Sequence, residues 1–488
     1  MDRSNTSSIP LVLVCCFGSS LQAADESSTN RYNVLFIAID DLRPELGCYG
    51  VAHAQSPYLD QLAQKALLFN RHYVQVATCG ASRYCLLTGR APHSTGITTG
   101  NHHFYKGKNQ LKDVQLAGAQ TMPELFRRGG YRTSLIGKIS HTADGRVFAY
   151  NGEGDGRLEM PQAWDDLLTP LGSWKRGWGV FFAYADGKHR EDGGGHKDLW
   201  QFSAENDDDL PDGMNATTAI EQLKNYKTND ERFFMGLGFY KPHLPFVAPK
   251  QDWDAFEDVE IPLPTKGRID SPYWHKSGEF YKYTANHEKT YPLSDEAIRN
   301  SKRAYSACVR YADRQVGRVL KALDELELSR ETIVVVWGDH GWHLGEQELW
   351  AKHAPFERTT RSVLMMYVPG MRTAGKVTDS LAATIDIYPT LVELCNPAFR
   401  KVQYALDGKS LVPVLRHQRS NVREVVRSYW KDAATVRTES HRLVARMKNG
   451  EPTDFELYDV SSDPDTTTNL AQLKPALRTK LAQRLLRE

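Results

Sequence analysis

The chain has 488 residues, too many for one small core, and its composition, 41% hydrophobic and 25% charged, is that of globular material with no low-complexity tract. Its 61 Lys and Arg nearly balance 60 Asp and Glu, a formal net charge of +1, which excludes nucleic acid or a membrane surface as the main partner. Any attraction for an anionic ligand must therefore be local.

Residues 1–23 read as a secretory signal, with Arg3 ahead of an apolar run at 9–17 and Leu21-Gln22-Ala23-Ala24 as a small-residue cleavage pattern. The run is too short to span a bilayer, so the mature chain is expected to be exported, periplasmic or secreted, without stable membrane insertion. Val14 before Cys15-Cys16 speaks against a lipoprotein anchor. The remaining Cys48, Cys79, Cys85, Cys308 and Cys395 are too scattered to form a disulfide framework.

Asn33-Val34-Leu35-Phe36-Ile37-Ala38-Ile39 is a continuous apolar run, as expected of a parallel strand buried on both faces. It ends in Asp40-Asp41, at the strand end where open α/β sheets hold ligands. Adjacent carboxylates repel unless a cation or proton lies between them, and hard divalent cations prefer such oxygens; an exposed acidic loop is the competing reading. A helix is expected over 57–68, with Pro57 in its first turn and Leu59, Leu62, Ala63 and Ala66 on one face. In Thr78-Cys79-Gly80-Ala81-Ser82-Arg83, a helix from Gly80 onward puts Cys79 at its N-terminus, where free N–H groups favour an anion. An inert buried thiol is the bland alternative.

A helix at 121–128 and a strand at 131–136 lead into Lys138 and His141. Residues 143–215, rich in Gly, Asp and Trp and without clear periodicity, read as long loops over the active face. A strand at 233–239 delivers Lys241-Pro242-His243, and the longest helix runs over 295–326 behind Ser294 as N-cap. Its apolar stripe is core. A strand at 332–337 then delivers Asp339-His340, and the loop beyond it carries Lys352. A strand at 363–368 and a helix at 386–395 precede a more polar tail with short strands near 425–429 and 441–446 and a terminal amphipathic helix. The fold class expected is α/β: a large mixed, mostly parallel sheet flanked by helices, over 31–375, with a smaller C-terminal α+β subdomain, over 376–488, completing the substrate pocket.

Four strand ends thus present Asp40-Asp41, Lys138 with His141, Lys241 with His243, and Asp339-His340, a set that no bland core requires. Cys79-x-Ala81-Ser82-Arg83 followed by Leu87-Thr88-Gly89-Arg90 resembles the signature of type I sulfatases, in which the Cys is oxidised to Cα-formylglycine. Ala81 stands where Pro is commoner. From 31 to 471 the chain is similar to the sulfatase branch of the alkaline phosphatase superfamily. Asp40-Asp41-Leu42-Arg43-Pro44, Gly47-Cys48-Tyr49-Gly50, Lys241-Pro242-His243, Asp339-His340-Gly341-Trp342 and Leu344-Gly345-Glu346 look like the iduronate-2-sulfatase group.

The resemblance implies that Asp40, Asp41, Asp339 and His340, with formylglycine at Cys79, hold a calcium ion. It implies that Arg83 supports the formylglycine hydrate and that Lys138, Lys352 and Lys241 neutralise sulfate oxygens, which His340 also contacts. His141 and His243 become the proton carriers, in either order. The implied partners are a sulfated saccharide and a formylglycine-generating enzyme. The rival readings are a phosphonate or phosphodiester hydrolase of the same superfamily and a non-catalytic glycan-binding protein in which Cys79 stays a thiol.

Overall fold

Asn33–Ile39 (β1) is buried along its whole length. Its alternation defines the layers, because Leu35, Ile37 and Ile39 join one apolar cluster while Val34, Phe36 and Ala38 join another. Each of these side chains except that of Ala38 contributes roughly 1.5–3 kcal/mol when taken fully out of water. The computed structural model describes Met1 and residues 32–486 except 151, 175, 176, 266 and 289, so the expected signal segment lies, Met1 apart, outside the described residues.

Around β1, the strands Leu67–Phe69 (β2), Arg132–Gly137 (β3), Asp166–Leu167 (β4), Phe233–Phe239 (β5), Thr332–Gly338 (β6), Leu364–Tyr367 (β7) and Lys376–Thr378 (β8) complete an eight-stranded sheet. The order is β8-β2-β7-β6-β1-β5-β3-β4. β7 runs antiparallel to both neighbours; the other pairings are parallel.

The helices used below are Pro57–Ala63 (α1), Cys79–Thr88 (α2), Met122–Arg128 (α3), Pro211–Asn229 (α4), Asp295–Glu325 (α5), Ile387–Cys395 (α6) and Pro475–Leu486 (α7). α1, α4 and α5 pack on the Leu35 face; α2, α3 and α6 pack on the Phe36 face. Ser294 caps α5 by accepting from the Ala297 N–H, as its position in sequence suggests.

Three expectations change. The helix expected over 57–68 stops at Ala63, because Leu67 and Leu68 pair with Met366 and Met365 and become strand. The stretch 143–215 is more ordered than a set of loops: it contains a short helix at Gly177–Phe181, a strand at Trp200–Ala204 and the start of α4. The tail forms a four-stranded antiparallel sheet of Val426–Trp430 (β9), Ala433–Arg437 (β10), His441–Lys448 (β11) and Glu451–Asp459 (β12), twice the number of strands legible there. α7 covers it through Leu481 and Ala482 against Val436, Leu443 and Leu457.

Register decides what the large sheet presents. Ile39 pairs with both Phe239 and Gly338, and Gly137 pairs with Gly238, so four strands finish flush. Asp40, Asp339 and Lys138 therefore leave one edge together. Gly238 permits this closeness, since a Cβ there would overlap the Lys138 backbone. All five described cysteines are free, and no helix among the described residues is long and apolar enough to cross a membrane.

Candidate active site

Cys79 is the first residue of α2, behind an extended Thr78, and the next N–H, of Gly80, donates to Asn101 Oδ1 at 2.8 Å. The thiol Sγ lies 3.3 Å from His340 Nε2 and 3.4 Å from Lys352 Nζ. Burial, with Asp40 adding to it, pushes the thiol up to about 12 against the pull of Lys138 and Lys352. At neutral pH it stays protonated. An unmodified Cys79 is thus a poor nucleophile.

Three fully buried carboxylates surround it. Arg83 binds two of them, with Nε 3.0 Å from Asp339 Oδ2 and Nη2 2.9 Å from Asp40 Oδ1, and also donates to the carbonyls of Lys138 and Ile139. Lys138 Nζ holds the other Asp40 oxygen at 2.7 Å. Asp41, at φ 61°, donates its N–H to Asp339 Oδ1 at 2.9 Å, and Lys352 Nζ approaches its oxygens at 2.8 and 3.2 Å. Burial alone would raise both neighbouring carboxyls. Lys138 and Arg83 hold Asp40 well below the usual range, whereas burial and the adjacent Asp40 and Cys79 leave Asp41 well above it.

His340 donates its Nδ1–H to the Gly341 carbonyl at 3.0 Å, and its Nε2 lies 3.3 Å from both Cys79 Sγ and Asp41 Oδ1. His243 is held likewise, Nδ1 2.6 Å from the Leu244 carbonyl, with Nε2 3.1 Å from Glu279 Oε1 and 3.8 Å from Asp41 Oδ2. A proton between Nε2 and Oε1 is the arrangement that leaves no lone pair facing another. Burial, with Lys352 next, pushes His243 down, and the hydrogen bond and charge of Glu279 draw it back up. His141 sits against Trp178, ring centroids 5.3 Å apart, with Nδ1 buried and without a hydrogen-bond partner; burial and Lys138 lower its basicity.

Of the residues singled out in sequence, Asp40, Asp41, Cys79, Arg83, Lys138, Asp339, His340, Lys352 and His243 are linked by direct contacts. Lys241 is engaged elsewhere. Its Nζ donates to the carbonyls of His243 and Pro245 at 3.0 and 2.6 Å, while its N–H and that of Tyr240 are held by Asp212 at the start of α4. Sequence reasoning missed Glu279, which binds Lys352 as well as His243, each at 3.1 Å. It also missed His353, whose Nε2 lies 3.3 Å from Thr78 Oγ1 and whose ring stacks on Trp430 at 4.9 Å. Glu279 carries no local signal; His353 sits beside Lys352, and that adjacency was the available one.

The donor set fits a hard divalent cation. Ligand atoms of Asp40, Asp41, Cys79 and His243 lie within 4.8 Å of one another, as do those of Cys79, Asp339 and His340. Asp41, the carboxyl that the fixed cations leave least stabilised, gains most from such an ion. A buried residue at a helix start, with acids, lysines and imidazoles converging on it, offers the nucleophile position, the charge stabilisation and the proton carriers that an ester hydrolase needs.

Residues 32–397 match the family described as Sulfatase, and residues 345–488 match the one described as N-sulphoglucosamine sulphohydrolase, C-terminal. The chain belongs to the sulfatase family and is a sulfuric ester hydrolase. It is 33% identical to the iduronate 2-sulfatase of Homo sapiens over 82% of this chain and 71% of that one, and 31% identical to that of Mus musculus over 81% and 76%. The phosphonate monoester hydrolase of Agrobacterium radiobacter shares the fold, with a TM-score of 0.73 and 21% identity over 93% of this chain and 95% of that one.

Proposed function

We propose that the protein removes sulfate from a sulfated saccharide of the kind implied by its iduronate 2-sulfatase relatives, using Cys79 converted to Cα-formylglycine and a calcium ion. The observation that carries this is the state of Cys79: fully buried, protonated up to about 12, yet centred between Lys352, His340 and three carboxylates. A thiol there has no use as it stands. The hydrated aldehyde of formylglycine would supply a nucleophilic hydroxyl and a second hydroxyl that, on losing its proton, would expel sulfate by cleavage of the C–O bond to the sulfated oxygen and restore the aldehyde. Calcium, held by Asp40, Asp41, Asp339 and His340 with the residue-79 side chain, supplies charge stabilisation for sulfate oxygens.

Charge bookkeeping supports the pairing. Asp40, Asp41, Asp339 and Glu279 place four carboxylates against the fixed cations Arg83, Lys138 and Lys352. A divalent ion turns that deficit into a single positive charge, which one sulfate monoester neutralises. Arg83 orients Asp40 and Asp339; Lys138 and Lys352 face the sulfate. His243 delivers the proton it shares with Glu279 to the departing sugar oxygen, and His141 takes up the other proton through its free Nδ1. Lys241 stiffens the loop that carries His243. The catalytic part spans 31–375, and 376–488 completes the substrate pocket. Export after signal removal and a formylglycine-generating enzyme in the producing cell belong to the same reading.

The test is the mass of the proteolytic peptide spanning Cys79, from a host carrying a maturation enzyme, alongside calcium-dependent sulfate release. Aldehyde in place of thiol, with faster turnover of sulfate than of phosphate or phosphonate esters, is expected. An intact thiol in an active protein overturns the nucleophile, and a phosphonate preference overturns the substrate class.

A further inference from the structure

Of Asp40, Asp41 and Asp339, only Asp41 has a strained backbone: φ 61° is left-handed, a conformation that Asp adopts at a cost and keeps where its surroundings impose it. Asp339 Oδ1 holds its N–H, and Lys352 holds its carboxylate. Its carbonyl is held from outside the strand ends. Tyr305 of α5 donates its hydroxyl to the Asp41 carbonyl at 2.8 Å and accepts the Arg43 N–H at 3.1 Å. One hydroxyl thus bridges two backbone groups that a tight three-residue turn would join directly, and it holds that turn open.

Tyr305 belongs to the apolar stripe of α5, in one cluster with Ile39 and Leu42, and its ring meets that of Phe246 edge to face at 6.0 Å. Packing therefore fixes where the hydroxyl points. The far side of the turn is fixed as well: the Arg43 guanidinium is engaged by Glu45, Glu346 and the Trp342 carbonyl, and Glu346 accepts the Leu344 N–H in the loop that leads to Lys352. Six residues along the same helix, Tyr311 makes the same kind of bridge, donating to the Asp207 carbonyl at 2.8 Å and accepting the Gly213 N–H at 2.7 Å. Both tyrosines are fully buried, but Tyr311 bridges backbone at the start of α4 and touches none of the converging acids.

We propose that Tyr305 is a positioning residue for sulfate ester hydrolysis: its hydroxyl locks the Asp41 backbone in the conformation that turns the carboxylate toward Cys79 and His340, where a calcium ion is held. The inference rests on the calcium reading of this site. Phenylalanine at 305 keeps the ring in its cluster and loses the bridge, leaving the Asp41 carbonyl and the Arg43 N–H buried without that partner. The turn then relaxes, and the loss falls on affinity for the ion rather than on substrate recognition.

Calcium affinity is measured by calorimetry on metal-stripped full-length enzyme from a host carrying a maturation enzyme, for the parent, Tyr305→Phe and Tyr311→Phe, together with the urea midpoint of each. Tyr305→Phe is expected to bind calcium about tenfold more weakly, the usual loss for a partner standing behind a metal ligand. Its turnover at limiting calcium should recover when calcium is raised about tenfold, with KM for a sulfate ester unchanged. Tyr311→Phe should lower the urea midpoint by a similar amount and keep the parent's calcium affinity. Parent-like affinity in Tyr305→Phe, an equal loss of affinity in Tyr311→Phe, or a Tyr305→Phe protein that does not fold even in excess calcium overturns the positioning role. A parent enzyme that binds no calcium overturns the calcium reading itself, and the positioning role with it.

Discussion

Glu279 is the side chain on which the proton chemistry depends, since it takes both His243 and Lys352 on one oxygen. Its negative charge raises the proton affinity of His243, against burial and Lys352. Glu279→Gln should therefore move the alkaline limb of the pH–rate profile to lower pH, because the acid loses its proton sooner, and should lower kcat by about ten- to a hundredfold. An unmoved limb would take the proton-donor role from His243. Cys79→Ala should lose at least about a thousandfold in turnover while unfolding within about 1 kcal/mol of the parent, having lost one buried sulfur. Residual activity near the parent level would remove the nucleophile. Cys79 and Arg83 were legible because the helix itself sets their spacing. Glu279 was not, because it stands in an aperiodic stretch, and only the path of the 271–283 loop brings it to the strand end at Asp40, 239 residues away in sequence, by a route that no local pattern encodes.

At the scale of elements, the strands that carry the site were readable, since β1, β5 and β6 are unbroken apolar runs ending in charged residues. α4 escaped notice because its sequence is mostly polar, begins at Pro211 without a side-chain cap and buries only a thin stripe through Ala216, Ala219, Leu223 and Tyr226. Yet its Asp212 positions the loop of His243. The C-terminal sheet was half legible, as β10 and β12 lie beside polar turns and pair only through their neighbours. Its junction with the layers of the large sheet is a buried charge cluster. Glu357 meets Arg437 at 3.0 Å, Arg442 at 2.7 Å and the Tyr73 hydroxyl at 2.7 Å. Burial would raise this carboxyl, but Arg442 and Arg437 hold it far below the usual range. Glu357→Gln should destabilise the protein by about 3–5 kcal/mol, because two buried guanidinium groups are left without their counter-charge. Urea unfolding measures this, and a change under about 1 kcal/mol would show the cluster to be solvated.

For the molecule as a whole, the site is assembled from groups taken out of water, and that leaves a signature in how stability depends on pH. His72, His287, His343 and His353 are pushed by burial to about 4, 4, 3 and 3. Each is neutral when folded and takes a proton on unfolding below about 6.5, so each favours unfolding as pH falls toward its folded value. Two carboxyls act in the opposite sense: burial raises Asp212 to about 6 and Asp313 to about 7, so folding keeps a proton on them that the unfolded chain releases. Near pH 5.5 the four histidines outweigh the two carboxyls, and these six groups bind roughly two more protons in the unfolded chain than in the folded one. Stability should therefore fall on acidification from about pH 6.5 to 4.5, by about 2–3 kcal/mol per pH unit at the steepest point. The urea midpoint followed across this range at constant calcium measures it, and a linear slope in urea of constant size separates lost stability from a change in the unfolded state. A flat or rising midpoint would mean that the imidazoles are hydrated in solution, and the desolvated pocket that keeps Cys79 protonated and leaves Glu279 Oε2 without a partner would be open to water as well.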